Sequence, residues 1–138
     1  MGTSEKITIQ TTVQAPVEKV WAYWTEPNHI TKWNAASDDW HTPFAENDLR
    51  IGGKFLSRME AKDGSFGFDF GGTYDDVKAN EVIAYSMEEG RTVSITFKGH
   101  GNETEIVETF DPDSENPVDM QQQGWQAILD RFKNYVEN

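Results

Sequence analysis

Residues 110–138 read FDPDSENPVDMQQQGWQAILDRFKNYVEN. The stretch leaves a strand-like run, turns through Asp111-Pro112 and Asn116-Pro117, and then carries helical periodicity to its end. Trp125, Ile128, Leu129, Phe132 and Val136 stand at i, i+3, i+4, i+7 and i+11, one apolar stripe on one helical face. A long helix with so apolar a face needs a broad surface to lie across. The segments upstream supply it.

From Lys54 onward the pattern is β. KFLSRMEA, FGFDFGGTYDDV, EVIAYSME, TVSITFKG and TEIVETFD are strand-like runs. Short connections rich in turn formers separate them: Lys62-Asp63-Gly64, Lys78-Ala79-Asn80, Glu89-Gly90-Arg91 and Gly99-His100-Gly101-Asn102. Connections of that kind imply an antiparallel meander. Gly71-Gly72 inside the second run suggests a bulge or strong bend, as a highly curved sheet needs. Alternation puts Phe55 and Met59 on one face, and likewise Phe66, Phe68 and Phe70. Ile83, Tyr85 and Met87 form a third set, and Val93, Ile95 and Phe97 a fourth.

Before this meander, KITIQTTV (residues 6–13) alternates as a half-buried strand. Ala15-Pro16 breaks it, and proline suits a first helical position. Val17, Val20, Trp21 and Trp24 form one helical stripe; after Pro27, Ile30 and Trp33 share a side of a second short helix. Residues 34–53, NAASDDWHTPFAENDLRIGG, read as an irregular loop with Trp40 and Phe44 embedded in it. Large aromatics in a loop point to packing over a core or closure of a pocket. The expected order is strand, two helices, about five or six strands, long helix, in one α+β domain spanning residues 1–138.

Composition narrows the function. With 24 acidic against 12 basic residues the net charge is −12. That opposes binding to nucleic acid or anionic lipid, whose affinity comes from neutralising phosphate. No run approaches the roughly 20 apolar residues of a membrane span, and MGTSEKITIQ lacks a secretory h-region. The absence of Cys removes disulfides, thiolate nucleophiles and thiolate zinc sites. A cytoplasmic location is the expectation. Neither the G-x-S-x-G elbow nor a phosphate-binding glycine loop with its Lys occurs, and no cofactor is expected.

An aromatic-rich concave sheet spanned by one amphipathic helix can enclose an apolar cavity. From periodicity alone a filled core is the simpler reading. The strings APVEKVWAYWTEPNHITKW, IGGKF, FGGTYDDV followed by EVIAYSM, and FDPDSENPVDMQQQGWQAILDRFKNYVE shift that balance. Together they resemble the helix-grip (START-like, SRPBCC) superfamily, specifically its group related to the C-terminal domain of the Hsp90 ATPase activator Aha1. The likeness covers essentially the whole chain, and its strings are structural rather than catalytic.

The resemblance implies a seven-stranded antiparallel sheet wrapped around the C-terminal helix, with two small helices closing one end. It also implies a cavity for an apolar or aromatic small molecule, lipid or polyketide-like. On that basis the lining is Trp40, Phe55, Phe66, Phe68, Phe70, Tyr85, Phe97, Trp125, Leu129 and Phe132, joined by His41 and Met59. The loop from Asn34 to Gly53 is then the lid. Three functions follow: a carrier, sensor or sequestering protein linked to stress response; a cyclase- or hydrolase-like enzyme; or a chaperone-interaction module. The last is expected to lack robust Hsp90 ATPase stimulation, because a separate N-terminal domain contributes strongly to that activity. A homodimer is left open.

For chemistry, only His41, Tyr85 and Glu108 offer polar groups near such a cavity. Glu108 shares strand parity with Ile106 and Phe110; if that face is inward it is a buried carboxyl with a raised pKa. Val107 has the opposite parity, so alternation leaves the facing open. Asp69, between Phe68 and Phe70, faces out if those rings face in. His29 and His100 read as solvated, and Asp48 and Arg50 as surface charges. Asp38, Asp39 and His41 match no strong metal spacing, so no metal is expected.

Overall fold

Strand β1 (Ile7–Val13) ends in a tight turn in which the Ala15 amide donates to the Val13 carbonyl, and Pro16 occupies the N-cap position of helix α1 (Val17–Thr25). Pro27 opens helix α2 (Pro27–Trp33). Six strands follow: β2 (Trp40–Asn47), β3 (Lys54–Ala61), β4 (Gly67–Lys78), β5 (Val82–Ser86), β6 (Thr92–His100) and β7 (Glu103–Phe110). Helix α3 (Val118–Glu137) closes the chain. This is a computed structural model, and it describes residues 6–87 and 89–138.

All seven strands form one antiparallel sheet in the order β1-β7-β6-β5-β4-β3-β2. The sheet curls around α3 as a half-barrel, with α1 and α2 near one end. The architecture is the α+β helix grip expected from the sequence. Inward positions alternate along each strand: Ile7, Ile9 and Val13; Ile83 and Tyr85; Val93, Ile95 and Phe97; Ile106, Glu108 and Phe110. On α3 the buried stripe is Leu129, Phe132 and Val136, with Trp125 and Ile128 half-buried beside it.

Residues 34–53 depart from the loop expected of them. They contain an eight-residue edge strand, β2, paired with β3. Pro43 has no N–H to give the ladder, and the register shifts between His41 and Phe44. That bulge breaks the alternation by which a strand is recognised. The segment is thus a wall of the sheet rather than a free lid. Asp38 just before it pairs with Arg131 of α3 at 2.8 Å.

The curl depends on close backbone approach at Gly72, where a Cβ would lie 2.6 Å from the Ser86 carbonyl oxygen. The bulge expected near Gly71-Gly72 lies slightly further along, between Tyr74 and Asp76. It lets Tyr74 and Val77 both meet the interior despite their odd spacing. The entry to α3 is tied down by buried Gln121. Its Oε1 accepts from the Asp113 amide at 2.8 Å, and its Nε2 donates to the Asn116 carbonyl at 2.8 Å.

Candidate functional site

Two aromatic groups hold α3 away from the sheet. Near the paired short helices, Trp24 and Trp33 each meet Phe132 edge-on at 4.8 and 4.9 Å, and they tilt against one another at 5.0 Å. Near the start of α3, Phe110 of β7 stacks flat on Trp125 at 3.9 Å and 12°. Between these groups lies a cavity of about 350 Å³, within the usual size range of small-molecule sites.

Its walls are largely apolar. Phe55 and Met59 come from β3, Phe68 and Phe70 from β4, Ile83 from β5 and Ile95 from β6; Trp125 and Ile128 come from α3. Phe55 meets Tyr85 edge-on at 4.7 Å, and Phe70 meets Trp125 at 6.1 Å. These rings are held by one another, so the wall is preformed.

The polar groups are few and differ in how they are satisfied. The Tyr74 hydroxyl donates to Asn47 Oδ1 at 2.5 Å, and Asn47 Nδ2 donates to the Thr25 carbonyl at 2.6 Å. Burial pushes the Tyr74 phenol pKa up. Tyr85 and Ser57 are buried on the wall, and their hydroxyls have no hydrogen-bond partner among the described residues. Burial, followed by the nearby Glu108 and Tyr74, raises the Tyr85 pKa, while Arg91 lowers it.

Glu108 is the most consequential of these. It is 6 % exposed and lines the cavity, with Ile95 and Ile9 as its cross-strand neighbours. The parity question is therefore settled inward. Desolvation is the sole cause acting on its carboxyl, whose pKa is pushed up to about 8. More exposed polar groups complete the lining: Asn34, Glu46, Arg91 and Asp113. Arg91 approaches Asp113 at 4.0 Å and donates to Glu89 at 2.5 Å.

The structure distributes the sequence-selected residues unevenly. Phe55, Met59, Phe68, Phe70, Tyr85, Trp125 and Glu108 meet at the cavity. Phe97, Leu129 and Phe132 do not line it; they are sealed into the core, Phe97 beneath Trp21 and Trp24. The two short helices carry more aromatic bulk than their lengths suggested, and they cover that end. Trp40 and Phe66 lie outside the cavity, with centroids 6.0 Å apart beside partly exposed Phe68. Phe66 precedes β4 and is 63 % exposed, so strand parity does not govern it. His41 is also outside, with Nε2 4.0 Å from Glu60 on the neighbouring strand.

His29 departs from the solvated reading. Its ring stacks on Tyr23 at 4.0 Å and shares a 2.7 Å hydrogen bond with the Tyr135 hydroxyl, fastening α2 to α3. Sequence reasoning missed Trp24, Trp33, Ile30, Asn47, Ser57 and Tyr74 as cavity residues. The helical stripe of Trp24 and the strand parity of Ser57 with Phe55 were the available signals.

The family model for activator of Hsp90 ATPase homolog 1-like proteins matches residues 14–137. The chain belongs to that family. The AHSA1-like protein of Aeromonas hydrophila is 45% identical and superposes with a TM-score of 0.90, covering 96% of this chain and 92% of that one. A protein of Cytophaga hutchinsonii is 57% identical with a TM-score of 0.84 over the same shares of the two chains. A Nitrosomonas europaea protein at 19% identity, with a TM-score of 0.82 over 95% of this chain and 93% of that one, shares the fold. No curated protein matches the chain. Domains of the activator of Hsp90 ATPase homolog 1-like fold commonly bind ligands. Among the described residues, no helix is long and apolar enough to cross a membrane.

Proposed function

We infer that this protein binds an apolar, aromatic small molecule in the cavity between α3 and the sheet. The observation that carries the reading is the preformed aromatic wall around about 350 Å³, whose exposed surface is mainly apolar. Filling such a space removes apolar surface from water without first ordering the protein. Phe55, Met59, Phe68, Phe70, Tyr85 and Trp125 are the proposed contacts. The whole chain acts as one domain in this reading, in the cytoplasm, as a carrier or sensor linked to stress response. The test is titration with aromatic, polyketide-like and lipid compounds, followed by Trp fluorescence and amide chemical shifts. A ligand that moves the Trp125 and β3–β4 resonances supports the reading; no response across the panel overturns it.

A second reading is favoured by one observation: Tyr85 and Glu108 share the cavity. A neutral carboxyl beside a phenol is a serviceable acid–base pair, as a cyclase- or hydrolase-like enzyme needs. Turnover of a bound ligand that is lost in Glu108→Gln, with binding retained, supports it. Robust stimulation of the Hsp90 ATPase is not expected of this chain, and an added-protein ATPase assay checks that directly.

A further inference from the structure

Glu108 stands out among the cavity groups because nothing among the described residues answers its charge. It is 6 % exposed, and among the described residues it has neither a hydrogen bond nor an ion partner. A buried carboxyl in that position is costly unless something pairs with it. The ionisable groups that share the cavity are Glu46, Tyr74, Tyr85, Arg91 and Asp113. Arg91 is engaged by Glu89 and Asp113, and its field reaches Tyr85 rather than Glu108. The lining therefore holds three carboxyl side chains against one guanidinium. The whole chain, at −12, adds a field that concentrates cations. Phe55, Phe70, Tyr85 and Trp125 line the same cavity, and the faces of aromatic rings attract an organic ammonium group.

We propose that the cavity's ligand is a hydrophobic amine, with its ammonium group paired to Glu108 and its apolar body against Phe55, Phe70 and Trp125. This rests on the small-molecule-binding reading and adds the charge of the ligand to it. Docking the ammonium converts the neutral carboxyl to a carboxylate, and the proton leaves to solvent. The balance is one ammonium and one carboxylic acid giving one ion pair and one released proton. Below the Glu108 pKa of about 8, amine affinity rises about tenfold per pH unit, because the carboxyl must lose its proton to pair.

The experiment compares 2-naphthylmethylamine with 2-naphthylmethanol, two probes of one shape that differ in charge. Each is titrated near neutral pH by calorimetry in two buffers of different ionisation enthalpy, on wild type and Glu108→Gln. A buried charged hydrogen bond predicts roughly tenfold or greater preference for the amine, collapsing to near parity in Glu108→Gln. Close to one proton is released with the amine and none with the alcohol; this count uses wild type alone, so it stands whatever the variant does. Equal binding of both probes, a preference that survives Glu108→Gln, or no proton release overturns the amine proposal while leaving the cavity reading intact. Binding of neither probe overturns the amine proposal; the cavity reading falls only if the wider aromatic, polyketide-like and lipid panel also fails to bind.

Discussion

Phe110 of β7 lies flat on Trp125 of α3, with ring centroids 3.9 Å apart and planes 12° from parallel. Phe110 is fully buried, whereas Trp125 keeps one side toward the cavity. One contact thus fixes the height of the helix above the sheet and supplies part of the cavity wall. Trp125→Ala removes both. The expected cost is about 2–4 kcal/mol, below the full-core range because Trp125 is only half-buried. Urea unfolding midpoints measure it; a change within experimental error shows that α3 is held chiefly by Leu129, Phe132 and Val136.

Glu108 gives the fold a pH dependence of definite sign. Its carboxyl titrates near 4.5 when solvated and near 8 when folded. Below about pH 4.5 both states hold the proton and the contribution to stability is fully present. Between those values the unfolded chain releases the proton and the folded chain keeps it. Stability therefore declines through that window, by up to about 1.4 kcal/mol per pH unit, and levels off above it. Glu108→Gln abolishes the slope, so its advantage over wild type grows from pH 5 to 8 and then stays constant. Parallel stability curves for the two proteins are the contrary outcome.

Gly124 sits inside α3 with nothing within 4 Å of where a Cβ would be. Gly124→Ala therefore gains helix propensity without a clash. The expected stabilisation is about 1 kcal/mol, read as a raised thermal midpoint. A lowered midpoint would show that the glycine serves movement of the helix rather than economy of space.

Asn47 joins three elements, accepting from Tyr74 of β4 and donating to the last residue of α1. Asn47→Ala strands a buried phenol and a helix-terminal carbonyl. The expected loss is about 1–3 kcal/mol. Amide exchange should quicken at the α1 terminus and along β2 together; an effect confined to β2 contradicts the bridging role.

Much of this was legible in the chain, for reasons that can be stated residue by residue. The α3 stripe is strong because five large apolar residues keep helical spacing, and the β3–β7 meander is marked by short turns. Strand β2 was hidden by Pro43 and its bulge, since an edge strand with a displaced register has no clean alternation. Glu108 could be placed on a face but not assigned a side, because Val107 fits an apolar face equally well. His29 was misread because its partner Tyr135 lies 106 positions away, beyond any local pattern. Phe97 and Phe132 carry the right residue type for a cavity wall, but Trp21, Trp24 and Trp33 bury them first.

The pairing of β1 with β7 sets a timetable for folding. Ile7 lies opposite Phe110, and Lys6 meets Asp111 across 105 positions of chain. Strand β1 thus has no sheet partner until β7 has been synthesised. Closing so long a loop is slow relative to forming the hairpins between them. During that interval Ile7, Ile9 and Val13, which the native sheet buries, form an unpaired apolar ribbon open to non-native association.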